Sequence, residues 1–188
     1  MKYQMRLLIV ALSLLPITVF HAEWVTETFE LYEGVNMIGF PLITNQTIPV
    51  LFAPLVEQGV LVRVADDNGK YYLPQENFSN LPFHTPTHAY AVIVTADCRL
   101  QIRGISLHPN FPVRLRRGFN ILVYFPQEPL RLQRGNLQFL PPELIIMKDE
   151  LGNFCIPSRE ISNIGLIRRG DILWVNVTQN CTLVWPER

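Results

Sequence analysis

The chain has 188 residues, with 16 basic and 16 acidic side chains, 48% hydrophobic residues and 17% charged ones. That apolar content excludes an intrinsically disordered chain. The balanced charge, with no basic block interleaved with aromatics, argues against a nucleic-acid binder.

Residues 1–22 read as an export signal. Lys2 and Arg6 precede an apolar run from Leu7 to Phe20, and Ala22 offers a small residue for cleavage. The run carries Pro16 and falls short of the roughly 20 apolar residues that a spanning helix needs, so no membrane segment is expected after cleavage. Retention as an anchor is the alternative. Cleavage takes two cations and no acid, so 16 basic residues become 14 against 16 acidic ones. The expected location is extracellular, at the cell surface or periplasmic.

The remaining chain is written twice. Gly34-Val35-Asn36-Met37-Ile38-Gly39-Phe40-Pro41 recurs as Gly118-Phe119-Asn120-Ile121-Leu122-Val123-Tyr124-Phe125-Pro126, an offset of 84 residues that settles at 83. At the later offset Gly69 matches Gly152, Pro74 matches Pro157, Asn80 matches Asn163 and Cys98 matches Cys181. A register this steady marks an internal duplication. The expected fold is mainly β: two tandem homologous small β-sandwich or sheet units over 23–110 and 111–188, each with one short helix.

Trp24 to Tyr32 alternates as a first strand, carrying Glu27 and Glu30, with Glu33 just beyond. At the shared offset Arg114 falls opposite Glu30 and Arg117 opposite Glu33, so the two units carry opposite charge at matched positions. These four residues are a candidate docking pair, within one chain or between copies; solvated strand edges are the alternative. In each marker, glycine supplies a positive φ, asparagine can bond its own backbone, and proline ends the strand.

Ile48, Leu51, Phe52, Leu55 and Val56 fall at helical spacing before Gly59, which predicts a short amphipathic helix. The corresponding 130–144 stretch holds Gly135, Pro141 and Pro142 and reads as a turn or a single helical turn. Val60 to Ala65 is the next strand. Asp66-Asp67-Asn68-Gly69 then predicts a tight primed hairpin turn, matched by Asp149-Glu150-Leu151-Gly152. Turn chemistry accounts for these carboxylates, which offer fewer oxygen ligands than a calcium loop needs.

Tyr71 and Tyr72 leave the first turn; Phe154 and Cys155 leave the second. Aromatics beside a polar loop suit a sugar-binding platform, but strand alternation sends one of each pair inward, and core packing is the favoured reading of these rings. Pro82 to His88 contains His84 and His88 at helical spacing, which Pro86 forbids; with only His108 elsewhere, a zinc set is not built. No nucleophile, histidine and acid set and no phosphate loop is present. The closing hairpins pair Tyr90–Ala96 with Cys98–Gly104, and 172–178 with 181–185. Tyr90, Val92 and Val94, like Leu173, Val175 and Val177, share one face. The other face is also apolar through Ala91, Ile93 and Trp174, which suggests units packed on each other or on a partner.

The order Gly-x-Asn, apolar residues, Pro, a short amphipathic segment, Asp-x-x-Gly-(aromatic)-x-x-Pro and a strand such as Ala89-Tyr90-Ala91-Val92 resembles the tandem small β repeats of bacterial secreted and cell-surface proteins. Those read Gly-Trp-Asn-Leu-Ile-x-x-Pro and close on Gly-Tyr-Trp-Val; Val35 and Phe119 stand at the tryptophan position. The resemblance covers 31–104 and 115–185 and implies a fold more than an activity.

Three cysteines leave the pairings 98–155, 98–181 and 155–181 open. Cys155 with Cys181, inside one unit, is the first choice, and three buried thiols are the alternative. Asn45, Asn77, Asn176 and Asn180 stand in Asn-x-Ser/Thr sequences. The function expected is a non-catalytic binding or adhesion module for a glycan or another extracellular protein, with Tyr71, Tyr72, Phe154 and Trp174 as the candidate ligand surface and no cofactor or metal. The alternative is a structural subunit of a fibre, layer or envelope complex, a homo-oligomer docking through its repeats.

Overall fold

The computed structural model of the chain describes residues 24–81 and 83–186. The expected export signal lies outside them. The first half contributes β1 (Trp24–Leu31), β2 (Gly34–Gly39), β3 (Leu42–Ile43), α1 (Ile48–Leu51), α2 (Ala53–Glu57), β4 (Leu61–Ala65), β5 (Tyr71–Leu73), β6 (Phe78–Ser79), β7 (Ala89–Val94) and β8 (Cys98–Ser106). The second half contributes β9 (Val113–Leu115), β10 (Gly118–Val123), β11 (Leu130–Arg131), β12 (Leu144–Lys148), β13 (Phe154–Ile156), β14 (Ile161–Ser162), β15 (Leu166–Ile167), β16 (Ile172–Val177) and β17 (Cys181–Leu183). The protein is mainly β, built of antiparallel sheets.

Two five-stranded sheets have the orders β2-β7-β4-β5-β6 and β10-β16-β12-β13-β14. The inner face of the first, through Ile38, Val64, Tyr72, Tyr90 and Val92, closes a core with Leu31, Leu100 and Ile102 of the β1-β8-β3 sheet. The inner face of the second, through Leu122, Met147, Cys155, Leu173 and Val175, closes another core with Val113 and Leu115 of β9, Leu183 of β17 and the buried Trp185. Leu107, expected within the first unit, packs in this second core.

The local chemistry that shapes the two sheets is the same. Asn36 Oδ1 accepts the Tyr32 N–H at 3.0 Å and Asn120 Oδ1 accepts that of Arg116 at 2.9 Å, while each Nδ2 donates back to the carbonyl of the same residue. These bonds hold the tight turns entering β2 and β10, where Gly34 and Gly118 take φ of +101° and +94°. Each fourth strand turns through a 3₁₀ segment, Pro74–Glu76 or Pro157–Arg159, ended by a left-handed residue, Asn77 or Glu160.

Four expectations need correction. The helix of the first half is two short helices broken at Phe52, with Pro54 in the first turn of α2. Among the described residues the second half has no α-helix; Gly135, Pro141 and Pro142 leave β11 and turns there. The Asp66 turn is not a two-residue primed turn. It runs over 66–70, with Asp66 Oδ1 accepting the N–H groups of Asn68 and Lys70 at 2.8 Å each, and Asp149 does the same for Leu151 and Asn153. Finally, β7–β8 and β16–β17 are not hairpins. β8 pairs with β1 and β17 with β9, so the chain crosses between sheets at Asp97 and Asn180, whose side chains accept the N–H groups of Glu33 and Arg117.

The outer faces of the two five-stranded sheets meet at a seam. Ala89, Val123 and Ile172 are buried there, flanked by Met37, Ile121 and Trp174. The seam has polar fastenings as well: Val123 N–H donates to Thr87 O at 3.2 Å and Ile121 N–H to Asp67 Oδ2 at 3.3 Å.

Candidate ligand surface

Strand alternation in β5 splits the tyrosine pair. Tyr72 turns into the core at 9% exposure, where burial pushes its phenol pKa up, so it is not part of a ligand surface. Tyr71 faces outward, its ring 5.3 Å from that of the exposed Phe78 on β6 and 4.8 Å from the Arg63 guanidinium carbon. The guanidinium over one ring face steadies the phenol without enclosing it. Phe154 occupies the matching place on β13 and is half-buried. Trp174 is also withdrawn, since it packs in the seam between the sheets.

The candidate docking residues do not meet. Glu30 pairs with Arg99 of the adjacent strand β8 at 2.7 Å, on the exposed outer face of the β1-β8 ribbon. Among the described residues no ion pair joins Glu30 or Glu33 to Arg114 or Arg117. Arg114 instead lines a small cleft with Thr85, His88 and Phe111. Two other ion pairs tie the halves together: Arg116 with Asp67 at 3.5 Å, and Glu27 with Arg169, these last two both about one-fifth exposed; Arg169 also donates to the Phe125 carbonyl and lies 3.4 Å from Ser106 Oγ. Neither Glu27 nor Arg169 is flagged by the repeat, because their offset is not that of the duplication.

The expected Cys155–Cys181 bridge is absent. Cys98, Cys155 and Cys181 are free thiols. Cys155 lies in the five-stranded sheet opposite Met147 and Ser162, whereas Cys181 lies on β17 opposite Leu115. Burial raises the pKa of all three thiols, which weakens them as nucleophiles.

His84 is partly buried and packs against the first core. Its ring sits 4.2 Å from that of Phe40 and 5.8 Å from that of Tyr90, Nε2 is 3.1 Å from Leu42 O, and burial lowers its pKa to about 4. Burial likewise raises Tyr90 to about 12, with its hydroxyl accepting the Thr85 N–H at 2.8 Å. Among the described residues no three His, Cys, Asp or Glu side chains are placed to hold a metal ion.

Two exposed features escaped the repeat pattern. Phe78 completes the Tyr71 patch, and the signal for it was the three-residue β5 turning into β6. Trp24, 58% exposed at the start of β1, lies 5.5 Å from the Arg103 guanidinium beside the 44–46 loop. No family model, curated protein or solved structure matches the chain.

Proposed function

We propose that the chain is an exported, non-catalytic binding module made of two tandem homologous β units, recognising a glycan or another extracellular protein. The tandem reading is supported by equal strand order, matched Asn36/Asn120 and Asp66/Asp149 turns, and left-handed residues at Asn77 and Glu160. It agrees with the resemblance to secreted bacterial β repeats. The observation that carries the binding reading is the Tyr71–Phe78 pair, two rings at 5.3 Å on an outward sheet face, with Phe78 exposed and Tyr71 partly so. Rings so placed can cover the apolar face of a pyranose or anchor a protein contact.

The test is binding of the chain to immobilised glycans and extracellular proteins beside Tyr71→Ala/Phe78→Ala. A bound target lost by the double variant supports the module. Binding indifferent to both changes, or no binding by the unaltered chain, overturns it.

The structural-subunit reading is favoured by one observation. Val35 and Phe119 point outward from β2 and β10, each an edge strand of its sheet, at 70% and 74% exposure. Edge strands with exposed apolar side chains are templates for association; on β10 the N–H groups of Ile121 and Val123 are already taken across the seam, which leaves the end around Phe119. Light scattering decides it: a salt-sensitive oligomer abolished by Arg114→Glu/Arg117→Glu supports assembly through charge, and a monomer in all conditions removes it.

A further inference from the structure

The ribbon of the first half is longer than its counterpart. β1 has eight residues and β8 nine, against three each for β9 and β17. The inner face of the added length holds Glu27 toward Arg169, and its outer face carries something else. Trp24 and Thr26 alternate outward on β1, opposite Ile105 and Arg103 of β8. The diagonal brings the Arg103 guanidinium 5.5 Å from the indole centroid. On the far side of β8, β3 pairs Ile43 with Ile105, so the 44–46 loop that follows stands at the same rim. That approach requires Gly104: a Cβ there would lie 2.8 Å from Ile43 O and from Leu42 Cβ. Gln46 N–H donates to Thr44 Oγ1 at 2.9 Å and holds the loop in shape. Together Trp24, Thr44, Asn45, Gln46 and Arg103 line an open cleft of about 350 Å³.

The geometry points to a pyranose-binding site in this cleft. An exposed indole offers its face to the C–H side of a sugar ring. Two side-chain amides offer paired donors and acceptors that match vicinal hydroxyls. Arg103 takes part in no ion pair among the described residues, so its donors are free for a hydroxyl or a sugar carboxylate. Among the described residues the lining has no carboxylate for a cation, it sets the indole beside amide, hydroxyl and guanidinium groups, and its volume lies in the range of small-molecule pockets. The inference shares its ligand class with the binding-module reading and rests on it, but the place is different from the Tyr71 patch.

The test is isothermal titration of the full chain, made in a host that does not glycosylate Asn45, with cellohexaose and maltohexaose as neutral probes and tetragalacturonate as an acidic one. The expected result is saturable binding of at least one probe, weakened about tenfold or more by Trp24→Ala, as for loss of a stacked anchor. Arg103→Gln should weaken tetragalacturonate more than the neutral probes, and Trp24→Phe should keep part of the binding. Circular dichroism melts should match the unaltered chain, since the indole is exposed. No binding of any probe, or binding that Trp24→Ala leaves intact, overturns the cleft. If Tyr71→Ala abolishes binding and Trp24→Ala does not, the module stands and this site falls.

Discussion

Gly39 and Val123 touch across the seam between the two five-stranded sheets, so closely that a Cβ built on Gly39 would lie 2.5 Å from Val123 Cβ. They occupy matched places in the two marker sequences. The sheets therefore meet where one copy of the marker kept glycine and the other has a branched side chain. Gly39→Ala should destabilise the chain by about 1–3 kcal/mol through overpacking. Gly165→Ala, in open space without a positive φ, is the control and should stay within about 0.5 kcal/mol. Urea unfolding midpoints distinguish the two.

Glu160 holds φ of +50° where the first half places Asn77 at +48°. Asparagine adopts the left-handed region at less cost than glutamate. Glu160→Asn should stabilise by about 0.5–1 kcal/mol and Asn77→Glu should cost a similar amount. The Arg134 partner of Glu160 is too exposed, at 85%, for its loss to reverse the sign. Thermal melts of both single variants test the exchange.

His84, packed between Phe40 and Tyr90, makes stability fall in acid. Its folded pKa of about 4 lies below the ordinary 6.5 because burial disfavours the charged ring. The unfolded chain takes up the proton first, so this stability is fully present above pH 6.5 and is lost as pH falls from there towards 4. The full difference is on the order of 3 kcal/mol. His88, lowered chiefly by burial, acts in the same direction. His84→Gln should flatten the decline between pH 6.5 and 4 in denaturant titrations while leaving the part due to His88. An unchanged slope would contradict the burial account.

Glu27 and Glu30 share a strand and should differ in worth. Glu27 meets Arg169 where both are mostly covered, and removing it leaves the guanidinium, among the described residues, with the Phe125 carbonyl and the Ser106 hydroxyl. Glu27→Ala should cost about 2 kcal/mol. Glu30 and Arg99 are 54% and 63% exposed, so Glu30→Ala should cost about 0–1 kcal/mol and less in high salt.

The free thiols predict a simple titration. With no reductant, three cysteines should be alkylated in denaturant, and reductant should leave the melting temperature unchanged. In the folded chain Cys155, at the centre of the second core, should react last. A mass corresponding to one bridge would refute this.

Much of the architecture was legible because it is written in short-range chemistry. The repeated Gly-x-Asn and Asp-x-x-Gly patterns demand particular turns wherever they occur, and the Asn36 and Asp66 hydrogen bonds span only four residues or fewer. Alternation in Tyr90, Val92 and Val94 placed them on one face, and all three are buried. The same alternation required that one of Tyr71 and Tyr72 point inward, without saying which.

Pairing partners were not legible, since alternation reveals which face a side chain takes and not which strand lies beside it. β7 and β8 are neighbours in the chain yet belong to different sheets, which moved Glu30 beside Arg99 and Cys181 away from Cys155. Glu27 and Arg169 stand 142 residues apart, and Trp24 meets Arg103 only because two long strands run antiparallel in one register. Turns and faces are properties of a few consecutive residues; ion pairs, thiol positions and the Trp24 cleft arise from packing between distant strands, where backbone pairing and core closure choose the neighbour.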